Sequence, residues 1–545
     1  MKKRLLLALL SVLLSFSAKS EIINGICGDN LTWTLDTETG IFTVSGTGEM
    51  YDYSRYGSLG YQYNGYLKHL VIENGATYIG KYAFYGCESL VSVTLPNTLA
   101  NIGYAAFRNC TSLPSVTLPD SLVSIDELAF YYCASLVGIT FPSSIVSIGV
   151  RAFCDCSSIE NVFIPRSVAN IGEGAFSRCP KIESMSVESG NAVYDSRNNC
   201  NAIVETATNT IIAGCNNSHI PLSVTSIGAF AFQGCQLRSV DLHNGIVAIG
   251  NGAFSLCELL STIAIPKSVK SIGENAFGNC NNVKSIVVSP LNDTYDSRNN
   301  CNAIIETQTN RLINGCNSST IPNTVVSIEN YAFWGCELVT SMIIPNSVTM
   351  IGDYAFENCW SLTSMTIPNS VTAIGDFAFY VCSNLVSLTI SNSVTKIGDG
   401  AFFGCSSLAS VYCLATIPPL CEGNNVFNNE VQETSTLFVP FGCLQKYKEA
   451  DIWKDFIHVE ELPQGYGVEE CLEIEFSIFP NPTTDIVNVK CKDMTKVTVF
   501  GMRGETIVDV NTNAESFVIT DLNVGTYFVR IETAKGSMTQ KIVKL

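Results

Sequence analysis

Chemistry-bearing residues are scarce in this chain of 545. Charged residues make up 15% of it, and only four residues are histidine. His69, His219, His243 and His458 stand in unrelated contexts with no second histidine at metal-ligand spacing, so no zinc-type ligand set is in view. There is no G-x-S-x-G, no H-E-x-x-H and no Walker loop. Thirty-one basic residues face 49 acidic ones, a formal charge of −18, without a basic stripe, which argues against nucleic acid or an anionic membrane surface as partner. Beyond the first twenty residues no apolar run is long enough to span a bilayer, so no transmembrane helix is expected. No catalytic residue, cofactor or metal is expected either.

What the chain has in abundance is repetition. The stretch "SIGENAFGNC", Ser271 to Cys280, recurs with its Ala-Phe pair at Phe84, Phe107, Phe130, Phe153, Phe176, Phe232, Phe254, Phe277, Phe333, Phe356, Phe379 and Phe402. Most steps are 23 residues, one is 22, and two are 56, which is one period plus an insert of 33. A fixed period of this length marks a solenoid of about 12 coils, mainly short parallel β-strands with turns and short helical segments. In the copy from Ile351 to Ala373, Leu362, Met365 and Ile367 follow an L-x-x-h-x-h spacing that ends at Pro368. This reads as a short strand with its apolar side chains facing inward and Ser364 and Thr366 facing solvent. The Gly after each Ile, such as Gly375, suits either a positive φ or a close approach to the neighbouring coil, and Asp126 and Glu329 replace it in two copies. The phenylalanines should stack into a continuous aromatic spine.

Twenty-three cysteines would ordinarily suggest a disulfide scaffold, but twelve of them follow the phenylalanines by three residues. Cys87, Cys110, Cys133, Cys156, Cys179, Cys235, Cys257, Cys280, Cys336, Cys359, Cys382 and Cys405 read as a reduced structural ladder, each a small filler donating its S–H to a turn carbonyl. Parallel Cβ vectors on neighbouring coils speak against coil-to-coil disulfides, with metal thiolates as the other alternative. Cys154, in "CDC", reads as an incidental surface thiol.

The two long steps hold near-identical segments, "YDSRNNCNAIVETATNTIIAGC" from Tyr194 and "YDSRNNCNAIIETQTNRLINGC" from Tyr295. Each reads as a hairpin, and "DSRNN" as a hydrogen-bonded turn. One register sets Cys200 opposite Cys215 and Cys301 opposite Cys316 and allows a cross-strand disulfide in each; a slip of one residue removes it. The cluster Tyr51, Tyr53, Tyr56, Tyr61, Tyr63 and Tyr66 reads as packing within an N-terminal β cap, with sugar stacking as the alternative. The pattern decays after Cys405 into a segment that should cover the last coil, and the final alternating strands read as a small β-sandwich.

Three basic residues, an apolar stretch from Leu5 and a small-x-small ending at Ala18 and Ser20 read as a secretory signal peptide, whose removal would take the formal charge from −18 to −22. The pattern I-G-x-x-A-F-x-x-C-x-x-L-x-x-h-x-h-P resembles the BspA-type leucine-rich repeat of treponemal and other surface proteins. The end of the chain, with Phe479-Pro480-Asn481-Pro482, "LNVGTYFV" from Leu522 and the closing "QKIVKL", resembles the C-terminal sorting domain of the type IX secretion pathway. The expected organisation is a signal peptide at 1–20, an N-terminal β cap at 21–70, repeats at 71–412 with hairpin inserts at about 188–220 and 289–321, a C-terminal cap at 413–462, a linker at 463–471, and the sorting domain at 472–545. The resemblance implies passage across both membranes of a Gram-negative cell to the surface or medium, with the type IX machinery as one partner. It also implies an adhesin that binds a protein on a host or neighbouring cell, such as a matrix or plasma protein. Binding of a surface glycan or envelope component, or a passive spacer, are the alternatives. On the outward strand face, mostly hydroxyl-bearing, Phe163, Val287, Ile343 and Tyr412 depart from the pattern and with Asp241 are the candidate ligand contacts. The other reading of these departures is that they cover insert or cap residues.

Overall fold

The computed structural model describes residues 21–464, 476–479, 481, 483, 486–501, 506–533 and 536–544. The expected leader, most of the expected linker, Cys471, and Pro480 and Pro482 of the sorting motif lie outside the described residues. The chain forms two compact units, Met1–Gln236 and Leu237–Leu545. Each is built on β-solenoid coils, because one coil of 23 residues cannot bury both sides of its own core and a stack can.

Every coil contributes a short strand and most contribute a longer one; the outward positions of Asp241 and Ile343 lie in coils without the longer strand. Short ones, such as Asn101–Ile102, Ser124–Ile125 and Ser147–Ile148, pair in parallel residue for residue. Longer ones, such as Ser364–Ile367, Ser387–Ile390 and Ser410–Cys413, do the same on the opposite edge of the coil, with Met365, Leu388 and Val411 buried in register. The Gly between them serves close approach: a Cβ on Gly375 would stand 2.6 Å from the backbone nitrogen of Asp353 in the previous coil. Left-handed backbone falls elsewhere, twice per coil. It occurs two residues after the Gly, at Tyr354 (φ 56°) and Phe377 (φ 53°), and just before the Cys, at Asn358 (φ 58°) and Val381 (φ 56°). The second position holds Gly or Asn in most coils, among them Gly86, Asn109, Gly234, Asn279, Gly335 and Gly404, the residue types that tolerate αL at least cost.

The phenylalanines stack face to face. Phe333, Phe356, Phe379 and Phe402 follow one another at centroid separations of 5.0, 5.0 and 5.4 Å with planes within 8° of parallel. In the first unit Phe84, Phe107, Phe130, Phe153 and Phe176 do likewise at 5.2 to 5.7 Å. The cysteine completes this column. The Phe107 N–H donates to Ala129 O of the next coil, and the Phe107 carbonyl accepts from its own Cys110 N–H and from the Cys133 thiol of the next coil at 3.2 Å. The same thiol-to-carbonyl bond joins Cys156 to Phe130, Cys179 to Phe153, Cys280 to Phe254, Cys382 to Phe356 and Cys405 to Phe379, at 3.1 to 3.3 Å.

The inserts do not loop away from the stack. The strand Thr210–Gly214 pairs in parallel with Ser226–Ile227, and Arg311–Asn314 with Ser327–Ile328, so each insert supplies a rung of its own. Gly214 and Gly315 lie against the spine rings of Phe232 and Phe333, where a Cβ would come within about 2 Å.

At the N-terminal end, Ile22–Gly28, Leu31–Asp36 and Ile41–Gly46 form an antiparallel meander whose last strand pairs in parallel with His69–Ile72. Phe42 meets Phe84 edge-on at 5.9 Å and closes the spine there. At the other end Phe427 continues the spine 5.5 Å from Phe402, and Trp453 and Phe456 close it edge-on. Strands Thr436–Val439 and His458–Glu461 prolong the longer-strand sheet. Beyond them two antiparallel sheets, of three and four strands, enclose Val487, Val489, Val497, Val499, Ile531 and Ile542 in a sandwich core.

Candidate ligand-binding face

The longer strands turn every second side chain outward, and the outward residues of neighbouring coils stand opposite one another in register. Phe163 is paired with Ser186, and Val287 with Ala264. Phe163 is 53% exposed, Val287 54% and Ile343 82%, so none of the three lies under an insert or a cap. Asp241 is exposed as well. Each insert breaks the face, because its asparagines take the place of the next strand. Asn201 accepts from Met185 N–H at 2.8 Å in the first unit, and Asn302 accepts from Ile286 N–H at 3.4 Å in the second.

Tyr412 departs from expectation. Its register points it outward, opposite Thr389 and Phe438, yet it is fully buried. Phe438 stacks on it at 4.6 Å, Phe528 of the C-terminal sandwich meets it edge-on at 6.1 Å, and the Lys541 Nζ lies 4.1 Å from its ring centroid. Nothing in the spacing of the repeats signals a cover supplied from more than a hundred residues downstream.

The insert cysteines carry free thiols. A β-bulge between Ile203 and Val204 shifts the register by one, so the ladder runs Val204 to Ile211 but Ala202 to Gly214 and ends before the cysteines. Cys200 donates to Ala202 O and Cys215 to Asn201 O; the second insert repeats the bulge, with Cys301 and Cys316 bonded to Ala303 O and Asn302 O. In the "DSRNN" turn Arg197 donates to Asp195 and Asn209, as Arg298 does to Asp296 and Asn310, so the carboxylate is already held.

All twelve cysteines of the expected ladder are buried, Cys87, Cys235, Cys257 and Cys336 included. Cys235 donates to Gly214 O of the insert rung instead of a Phe carbonyl. Burial pushes the Cys280 thiol up to about 12 and holds Cys110, Cys133, Cys156 and Cys179 well above the ordinary thiol range. Cys154 is not a surface thiol: it is buried, accepts from the Ser177 hydroxyl at 3.2 Å, and burial raises its pKa to about 12. A thiol in this condition is no nucleophile.

Exposed apolar residues that the strand pattern missed are Leu222, Leu291 and Leu338, at 82%, 76% and 67%. Leu338 stands where Ser89, Ser112, Ser135, Ser158, Ser361 and Ser407 stand in other coils, so an alignment of the coils singles it out. Of the six cap tyrosines, Tyr51, Tyr56, Tyr61 and Tyr66 are exposed; Tyr63 packs on Trp33 at 5.1 Å and Tyr53 is half-buried. The cap also holds an open depression lined by Asp29, Glu49, Asp52, Tyr51 and Tyr78. There Tyr51 donates to Asp29 and Tyr78 to Asp52, which ties up both carboxylates. No group of three or more His, Cys, Asp or Glu placed to hold a metal occurs among the described residues. No helix among them is long and apolar enough to cross a membrane.

Parallel coils with a buried L-x-x-h-x-h strand, a phenylalanine spine and a regular outer face define a leucine-rich repeat solenoid. The chain belongs to the BspA-type leucine-rich repeat family, whose model matches residues 58–201, 212–310 and 303–432 in six copies. Residues 477–545 match the secretion system C-terminal sorting domain, which marks a type IX-secreted, cell-surface or extracellular protein. A leucine-rich repeat protein from Eubacterium ventriosum is similar at 24% identity over 70% of this chain and 95% of its own, with a TM-score of 0.50. A leucine rich cell surface protein from Faecalibacterium prausnitzii is 22% identical over 73% of this chain and 96% of its own, with a TM-score of 0.36. A leucine-rich repeat protein from Bacteroides ovatus is 22% identical over 80% and 99%, with a TM-score of 0.35. The first of these likenesses shows the fold and nothing more. No curated protein matches the chain.

Proposed function

We propose that the repeats are a non-catalytic binding module, an adhesin whose longer-strand face takes a protein ligand on a host or neighbouring cell. The observation that carries this reading is made in each unit by itself: Phe163 in the first and Val287 and Ile343 in the second are exposed at outward positions that mostly carry hydroxyls, and solvent-facing apolar side chains at regular outward positions mark a contact surface. The absence of a converging acid, base or nucleophile among the described residues and the inert thiols support a binding role over catalysis. The sorting domain engages the type IX machinery and takes the protein across both membranes of a Gram-negative cell.

Full-length protein on arrays of matrix and plasma proteins tests the proposal: saturable binding that Ile343→Lys and Val287→Lys abolish is the expected result. At this exposure those changes leave stability within about 0.5 kcal/mol. The exposed tyrosines Tyr51, Tyr56, Tyr61 and Tyr66 favour a second reading, glycan binding at the N-terminal cap, because rings stack on sugar faces. Binding to a glycan array alone, lost with Tyr56→Ala and Tyr61→Ala, would replace the first reading. Silence on both arrays would leave a passive spacer.

A further inference from the structure

We infer that the C-terminal sandwich docks on the last rungs of the longer-strand face and masks them, so that the aromatic end of this face is presented only after the sandwich has left. Exposure along the face falls in order. Thr366 is exposed, Thr389 one rung on is half-buried, and Tyr412 on the next is fully buried. The cover is made of specific contacts. Tyr412, Phe438, Leu462 and Phe528 form an apolar cluster of their own, with Leu414 and Phe500 against it, separate from the solenoid core and from the sandwich core. Lys541, on the strand Gly536–Lys544, lies over the Tyr412 ring and donates to the Ser387 hydroxyl, itself buried on the same face.

A lysine is rarely enclosed in this way unless the contact it makes excludes water. Burial lowers its pKa to about 7, as expected of an ammonium taken out of solvent. The sequence of the face agrees. Outward positions over the preceding rungs, Ser364, Thr366, Ser387 and Thr389, carry hydroxyls, and aromatic residues occupy two successive rungs, Tyr412 and Phe438, where Phe528 and Lys541 arrive. The occupant of this end of the face is therefore the chain's own C-terminal domain. Whatever follows it there must offer the same pair, a cation over the Tyr412 ring and an aromatic edge beside it. That such a follower exists rests on the binding role proposed above; the masking does not.

The test is a full-length chain with a specific protease site placed within residues 465–470, cut after folding and passed over a sizing column. The two pieces are expected to co-elute at micromolar concentration. Tyr412→Arg, which sets a cation against Lys541, and Lys541→Glu, which acts from the other side, should each weaken the association about tenfold or more. Thr366→Arg, on the same face two rungs away, should leave it unchanged. Separation of the uncut-sequence pieces on cleavage, or continued co-elution of both variants with native circular dichroism, would overturn the inference. Neither readout involves a ligand, so failure of the adhesin reading and failure of this one are told apart.

Discussion

Replacing Phe379 by Ala removes a ring from the middle of the spine. Phe379 is fully buried and stacks on Phe356 at 5.0 Å and on Phe402 at 5.4 Å. A Phe→Ala change in a packed core costs about 3–5 kcal/mol from lost transfer energy and residual cavity. Each parallel ring contact is worth about 0.5–1.5 kcal/mol beyond area, and Phe379 has two, which places the change in the upper half of that range, about 4–5 kcal/mol. The neighbouring coils cannot collapse into the gap, because Phe379 N–H and C=O are tied to Ala401 O and to the Cys405 thiol. Urea unfolding followed by circular dichroism, with thiol exposure as a local probe, measures the cost. A double-mutant cycle of Phe356→Leu with Phe379→Leu isolates one stack and should give a coupling near 1 kcal/mol. A cost below about 2 kcal/mol, or a coupling of zero, would refute the view that the stack, and not area alone, holds the coils in register.

Three other outcomes follow from the structure. The denatured, unreduced protein should titrate at least twelve free thiols; in the native state Cys280 and Cys154, which burial pushes up to about 12, should be inert at pH 8, and because their folded pKa lies above the unfolded value, the stability they add is present below about 9 and lost as pH rises toward about 12. A denatured count near one would end the ladder. Val381→Gly, at a φ of 56° that a β-branched residue adopts under strain, should raise stability by about 1 kcal/mol in a denaturant titration, and no gain would show the strain to be absent. Burial raises the Glu357 carboxyl to about 7, so the protonated form is the one that fits; Glu357→Gln should melt higher than the parent at pH 8 and equally at pH 5, and a difference that does not change between the two would count against it.

Much of this molecule is legible because its contacts are one period long. Phe356 and Ile374 each meet an equivalent 23 residues away and the Cys382 thiol meets the Phe356 carbonyl 26 residues away, so a fixed spacing states the contact as plainly as a distance does. The left-handed residue before each cysteine was equally open to reading, since Gly335, Asn358 and Gly404 align there. The insert cysteines were not, because a bulge adds one residue to a strand without any marker in the sequence, and that residue decides whether Cys200 faces Cys215. Tyr412 failed for a different reason. Its cover comes from Phe528 and Lys541, and a contact over that separation leaves no period to find.

The bond from a repeat cysteine such as Cys133, Cys156, Cys382 or Cys405 to the Phe carbonyl of the preceding coil points one way along the chain. A coil is finished by its successor, and junction after junction poses the same demand and meets it with the same residue types. The length of such a protein is therefore a free variable: a block of coils added or removed at any junction creates no new kind of surface. The two inserts, 101 residues apart and nearly identical, are the trace such an event leaves. Selection can then lengthen the presented face without redesigning its core, while the two ends, each with its own aromatic closure, stay as they are.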